Sequence, residues 1–214
     1  MIHQKKIVTA GKKIEEASKV LLLLHGRGAS AADILSLAPY LKVENYALLA
    51  PQATQHTWYP YSFLNPIDQN EPWLSSALSL LGEIVEDIEK QGVKKEAIYF
   101  LGFSQGACLV LEYVARNAQK WGGVAAFTGG LIGEQLMPER YAGDFKGTPI
   151  FIGTSDPDPH VPVQRVHASA QVLQNLNARV TEKVYPHMGH TITGEEIEWA
   201  NTLIFHPSET EIRN

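Results

Sequence analysis

The sequence predicts an α/β fold with a mainly parallel central sheet and helices on both of its faces. Short apolar runs alternate with longer amphipathic stretches along the whole chain, the pattern of strand–helix–strand units. Most of the short runs are apolar without a break, as strands covered on both faces must be. No internal repeat, low-complexity tract or linker interrupts the alternation. With a prior of roughly 150 residues per domain, the 214 residues are expected to form a single domain spanning 1–214.

The elements follow in order. Residues 6–10 are expected to add an antiparallel edge, and residues 20–24 (Val-Leu-Leu-Leu-Leu) form the first fully buried strand. A helix is expected over 30–41, then a strand over 46–50. The stretch 52–70 has no clear periodicity, and loops that long in a compact domain are usually functional. The helix over 72–91 opens at Pro72, whose missing N–H would be unpaired in a first turn anyway. It stops at Gly92. A strand over 97–101 leads into a helix over 105–118, then come strands over 123–127 and 149–153 and a helix over 163–177. A last strand spans 179–185. The final helix, 194–205, opens with Thr193-Gly194-Glu195-Glu196, a capping-box spacing that pairs two otherwise unsatisfied N–H groups.

Composition excludes several classes of function. Hydrophobic residues make up 44% and charged residues 19%, so the chain is neither disordered nor fibrous. A net charge of −5 argues against a nucleic-acid partner. The single cysteine, Cys108, allows no intrachain disulfide and no cysteine-based metal framework. No apolar signal region follows Met1, and the apolar run 20–24 is far too short to span a membrane, so a cytoplasmic location without stable membrane insertion is expected.

The motif carrying most information is Gly102-Phe103-Ser104-Gln105-Gly106, set between a strand and a helix as G-x-S-x-G requires. That spacing implies a very tight turn with the serine in a strained conformation, and neighbours two residues away on either side must lack bulk. The turn would lift the Ser104 hydroxyl above the sheet edge, beside a helix N-terminus that favours developing negative charge. A chance serine in a glycine-rich connector is the bland alternative, and the flanking strand and helix weigh against it.

A serine hydroxyl needs a base to accept its proton, and this elbow expects serine, acid and histidine in chain order. The strand 149–153 opens into a segment with Asp156 and Asp158, and the strand 179–185 into one with His187 and His190. Each candidate thus follows the C-terminal end of a strand, where ligands gather in open α/β sheets. His190 is the expected base because Gly189 lets the loop turn just before it; His187 precedes that glycine and reads as a solvated loop residue. His25-Gly26-Arg27-Gly28 follows the strand 20–24, and a loop there can aim a backbone N–H at an oxyanion. The donors would be the N–H groups of Arg27 and Gln105, with His25 a structural residue beneath the loop. His187 and His190 straddle Met188-Gly189 rather than sharing a helix face and no H-E-x-x-H occurs, so no metal is expected. Cys108 reads as a small core residue. The aromatic cluster around Trp58 and Tyr59 reads equally as core and as a pocket wall, and both are candidate substrate-binding residues.

These residues resemble the phospholipase/carboxylesterase family of small α/β-hydrolases, which includes bacterial carboxylesterases and acyl-protein thioesterases. The matching pieces are His25-Gly26-Arg27-Gly28, Ala50-Pro51-Gln52, Trp58-Tyr59, Gly102-Phe103-Ser104-Gln105-Gly106-Ala107, Asp158-Pro159-His160-Val161-Pro162 and Gly189-His190. The resemblance implies an α/β-hydrolase fold with a minimal lid and a serine hydrolase of carboxylic esters or thioesters that needs no cofactor. By position it makes Ser104 the nucleophile, Asp158 the acid and His190 the base, with Arg27 and Gln105 N–H groups as oxyanion hole. Pro157 and Pro159, which restrict the backbone on either side of Asp158, also favour it over Asp156. Without an amphipathic membrane helix, short to medium acyl groups are expected. The expected partner is a small-molecule ester or thioester, and a homodimer stays open. The alternative is a catalytically silent binding or sensing module on the same scaffold.

Overall fold

The computed structural model describes residues 2–205. Seven strands form one sheet in the order β1-β3-β2-β4-β5-β6-β7. They are β1 (Ile7–Gly11), β2 (Lys19–Leu24), β3 (Tyr46–Pro51), β4 (Ile98–Phe103), β5 (Gly123–Phe127), β6 (Pro149–Asp156) and β7 (Arg179–Pro186). Only β1 runs antiparallel, as the edge partner of β3; the other five pairings are parallel. The fold is that of the α/β-hydrolases.

Strand β2 shows why the run of four leucines suits the centre of this sheet. Side chains alternate across a strand. Val20, Leu22 and Leu24 therefore enter the core beneath helices α2 (Trp73–Lys90), α3 (Gln105–Arg116) and α4 (Val163–Asn175). Leu21 and Leu23 enter the opposite core, beneath α1 (Ala31–Leu35) and α5 (Gly194–Ala200). A strand with two buried faces has no position for a polar residue. Helix α2 instead shows a helical stripe: Leu74, Ala77, Leu81, Ile84, Val85 and Ile88 are buried. No helix among the described residues is long and apolar enough to cross a membrane.

Three element boundaries differ from expectation by three residues or more. The helix expected over 30–41 ends at Leu35 and continues only as a 3₁₀ turn at Ala38–Tyr40. Pro39 has no N–H to give an α-helical ladder and crowds the preceding turn. Residues 201–205, read as α-helix, form a π-helical turn, within which the Asn201 carboxamide bonds the Lys42 N–H and the Tyr40 carbonyl. Strand β6 runs three residues past the expected end, because β7 pairs with it residue for residue as far as Asp156 opposite Pro186. Pro186 is tolerated there because β7 is an edge strand. This last difference bears on the site, since it places Asp156 on a strand and Asp158 on the loop beyond.

Candidate active site

The site lies at the C-terminal ends of β2, β4, β6 and β7, and begins with the turn from β4 to α3. Ser104 occupies φ 53°, ψ −118°, a strained conformation for a residue with a side chain. The glycines make the turn sterically feasible. A Cβ on Gly102 would come within 2.5 Å of the Gly106 backbone. One on Gly106 would overlap the Leu24 carbonyl oxygen and come within 2.6 Å of the His25 carbonyl oxygen. The elbow is thus pressed onto the end of β2. The Ser104 N–H donates to the Phe127 carbonyl, tying the turn to β5 as well.

The loop after β7 brings His190 over this serine. His190 Nε2 lies 2.8 Å from Ser104 Oγ, and its Nδ1 lies 2.8 Å from Asp158 Oδ2. Gly189 turns the chain at φ +80° while its N–H donates to Ser155 Oγ. Behind the histidine, α5 is held by the expected capping box: Thr193 Oγ1 accepts from the Glu196 N–H, and Glu196 Oε2 accepts from the Thr193 N–H. His187 is exposed and does not reach the serine.

Asp158 closes the chain of hydrogen bonds. Its Oδ1 accepts from the N–H groups of His160 and Val161, each at 2.8 Å, so the loop folds around its own carboxylate. Burial pushes the Asp158 pKa up, but the His160 N–H, the His190 ring and the Val161 N–H outweigh this and leave it below the ordinary value. An ionised carboxylate only accepts hydrogen bonds. His190 therefore carries its proton on Nδ1 and turns the Nε2 lone pair to the Ser104 hydroxyl, the state in which imidazole can take that proton. Asp156 is exposed at the end of β6, and its backbone carbonyl accepts from the His187 N–H. The side chain that accepts the N–H groups turning this loop is that of Asp158 itself.

The loop after β2 packs beside the serine, since a Cβ on Gly26 would stand 3.5 Å from Ser104 Cβ. His25 is fully buried beneath it. The Ala53 N–H donates to His25 Nε2, so Nδ1 holds the proton and donates to the Gly26 carbonyl at 2.7 Å. Burial lowers the His25 pKa and keeps the ring neutral. Gln105, first residue of α3, has a backbone N–H without an intrahelical acceptor.

A cleft of about 600 Å³ opens over Ser104 and His190, walled by Tyr59, Tyr61, Phe63 and Leu64 on one side and Pro159, His160 and Val161 on the other. Of the two aromatic residues expected to line a pocket, only Tyr59 does so. Trp58 is fully buried behind the wall, its ring 5.1 Å from the His25 ring and tilted 33° to it, and its indole N–H donates to the His25 carbonyl. It supports the loop rather than meeting a ligand. Cys108 is buried but touches the cleft floor; burial pushes its thiol up to about 12, so it stays protonated at neutral pH.

Two positioning side chains had no sequence signal. Gln105 accepts from the Trp58 N–H at 2.9 Å and donates to the Tyr59 carbonyl at 2.8 Å, fixing the aromatic segment to the elbow. Arg27 donates to the Pro60 and Tyr61 carbonyls, each at 2.6 Å. Both contacts cross more than thirty residues of chain, which no local pattern records.

Comparison with known proteins places this geometry in context. The sequence model of one family, described as phospholipase/carboxylesterase, matches residues 4–206. A probable carboxylesterase of Arabidopsis thaliana is 28% identical over 160 residues, covering 75% of this chain and 60% of that protein. Acyl-protein thioesterase 1 of Saccharomyces cerevisiae is 28% identical over 218 residues, covering 87% of this chain and 91% of the relative. The crystal structure of a phospholipase/carboxylesterase from Dyadobacter fermentans superposes with a TM-score of 0.94 at 55% identity, covering 96% of this chain and 98% of that one.

Proposed function

The chain belongs to the phospholipase/carboxylesterase family, and from that membership we propose that it is a serine hydrolase of carboxylic esters, or thioesters, of short to medium acyl groups. The observation that carries the proposal is the continuous path of two 2.8 Å hydrogen bonds from Asp158 through His190 to Ser104 at the floor of an open cleft.

In the proposed mechanism Ser104 Oγ attacks the acyl carbonyl as His190 Nε2 takes its proton. The tetrahedral oxyanion is received by the N–H groups of Arg27 and Gln105. His190 then protonates the leaving alcohol or thiol, and an acyl-serine remains. Water attacks that ester by the same route, its proton passing to His190 and back to Ser104. Asp158 holds the imidazole tautomer throughout and stabilises the imidazolium without itself taking the proton. The strain at Ser104 supports the assignment, since such backbone outliers collect at functional sites.

The cleft supports a small-molecule substrate: Tyr59, Phe63, Leu64 and Val161 offer apolar surface to an acyl group, and its volume is within the range of pockets that enclose a small ligand. Turnover of aryl esters and acyl thioesters of graded chain length tests the reading. The value of kcat/KM should peak among the short to medium chains, and a rise continuing through palmitoyl would refute the size limit.

A further inference from the structure

Among the described residues, Arg27 is the one permanently charged side chain lining the cleft, and no Asp or Glu lines it. Its partners are neutral: the Pro60 and Tyr61 carbonyls accept two of its N–H groups, and its guanidinium stands 6.0 Å over the Tyr59 ring. A guanidinium has five N–H donors, so three remain, on an exposed group held in place from both ends. The positive charge is therefore preorganised yet uncompensated, in a chain whose overall charge is −5. Arg27 follows Gly26, whose position packs against Ser104, so its side chain starts from the loop beside the nucleophile.

We propose that the preferred substrate is an ester that itself carries a carboxylate a few bonds from the scissile carbonyl, with Arg27 as the specificity-determining residue that receives this carboxylate. The inference rests on the ester-hydrolase reading. Clipping the aromatic segment needs only two donors and leaves the rest of the guanidinium facing the cleft. Planar, charge-assisted pairing with a carboxylate is the contact for which arginine is best suited. An acyl chain ending in a carboxylate and a leaving group carrying one would present the same anion, and matched pairs separate them.

The test compares 4-nitrophenyl valerate with 4-nitrophenyl hydrogen glutarate for the acyl side. Methyl 4-acetoxybenzoate and 4-acetoxybenzoate serve for the leaving-group side, with the Ser104→Ala protein as blank throughout. In at least one pair, kcat/KM for the anionic member should exceed that of its neutral partner by about tenfold, as a charge-assisted hydrogen bond gives. Arg27→Met should abolish that ratio, whatever it does to the absolute rates, and Arg27→Lys should retain part of it. If Arg27→Met does not fold, the wild-type ratio should still fall towards one on raising NaCl to about 0.5 M, because salt screens an exposed pair. A wild-type ratio at or below one in both pairs overturns the proposal while leaving the hydrolase reading intact. So does a ratio that Arg27→Met, or added salt where that variant is unfolded, leaves unchanged, as a purely structural clip would. Turnover of none of these esters by the wild-type protein, or turnover undiminished in Ser104→Ala, would instead sink the serine-hydrolase reading.

Discussion

His190 Nε2 lies 2.8 Å from Ser104 Oγ although 86 residues separate them in the chain. In the sheet, β4 and β7 are separated by two further strands, a span of about 14 Å at the usual strand spacing. The loop after β7 must lean back across the ends of β5 and β6 to reach the serine. It does so braced by the Gly189 N–H on Ser155 Oγ, by the Phe103 ring 5.2 Å from the imidazole, and by the capped start of α5.

Asp158→Asn would replace the acceptor that sets the His190 tautomer. It should lower kcat on a soluble aryl ester by about 10⁴, with KM little changed. Asp156→Asn, at an exposed strand end, should stay within about threefold of the parent, as surface changes usually do. Steady-state kinetics on the two variants decides it, and a reversed ranking would move the acid to Asp156.

Gly106→Ala places a methyl group against the Leu24 and His25 carbonyl oxygens. Overpacking of this kind costs about 1–3 kcal/mol, and the elbow must shift to relieve it. Urea denaturation should show the loss together with reduced turnover. A variant as stable and active as the parent would contradict the packing described here.

Gln105→Ala keeps the backbone N–H of α3 but strands the buried Trp58 N–H and removes one of the two donors to the Tyr59 carbonyl, leaving the Thr57 hydroxyl as the other. Leaving the Trp58 N–H unpaired should cost about 1–3 kcal/mol. Because the cleft wall loosens while Ser104 and His190 keep their places, KM should rise more than kcat falls. A kcat-only effect would mean that the side chain acts on the chemistry.

Glu196 gives a dependence of stability on pH. Burial raises its pKa above the ordinary carboxylate value, against the opposing pull of the Thr193 N–H and hydroxyl, and its Oε1 is buried without a partner. The folded protein therefore favours the protonated form. This contribution is fully present below the unfolded pKa of about 4.3 and is lost as pH rises through the higher folded value. Glu196→Gln removes the titration while keeping an oxygen for Thr193. Urea midpoints of the two proteins should thus shift in favour of the glutamine variant between acidic and mildly alkaline pH; a constant difference would contradict the assignment.

What the sequence made legible was local or periodic. The strand–helix alternation, the G-x-S-x-G turn with its glycines, the Gly189 turn before His190 and the Thr193 capping box each lie within a few consecutive residues. What it hid depended on contacts between distant segments. Asp156 belongs to a strand only because β7 extends alongside it. Trp58 and Tyr59 are adjacent and both buried, yet only Tyr59 borders the cleft. Their aromatic character could not divide them. Gln105 and Arg27 entered the reading as backbone donors, and the carbonyls that their side chains hold lie on a loop without periodicity. Pro39 was visible, but a good amphipathic pattern on either side of it masked the break in α1.

The central claim, that Ser104 is the nucleophile, is tested most directly by covalent labelling. Incubated with a fluorophosphonate and analysed by intact mass and peptide mapping, the protein should gain one adduct, on Ser104, in step with loss of esterase activity. Ser104→Ala should fold normally, take up no label and lose nearly all turnover, with a residue of about 10³–10⁴-fold over water from the oxyanion donors. Labelling retained in Ser104→Ala, or an adduct mapped to another residue, would contradict the account.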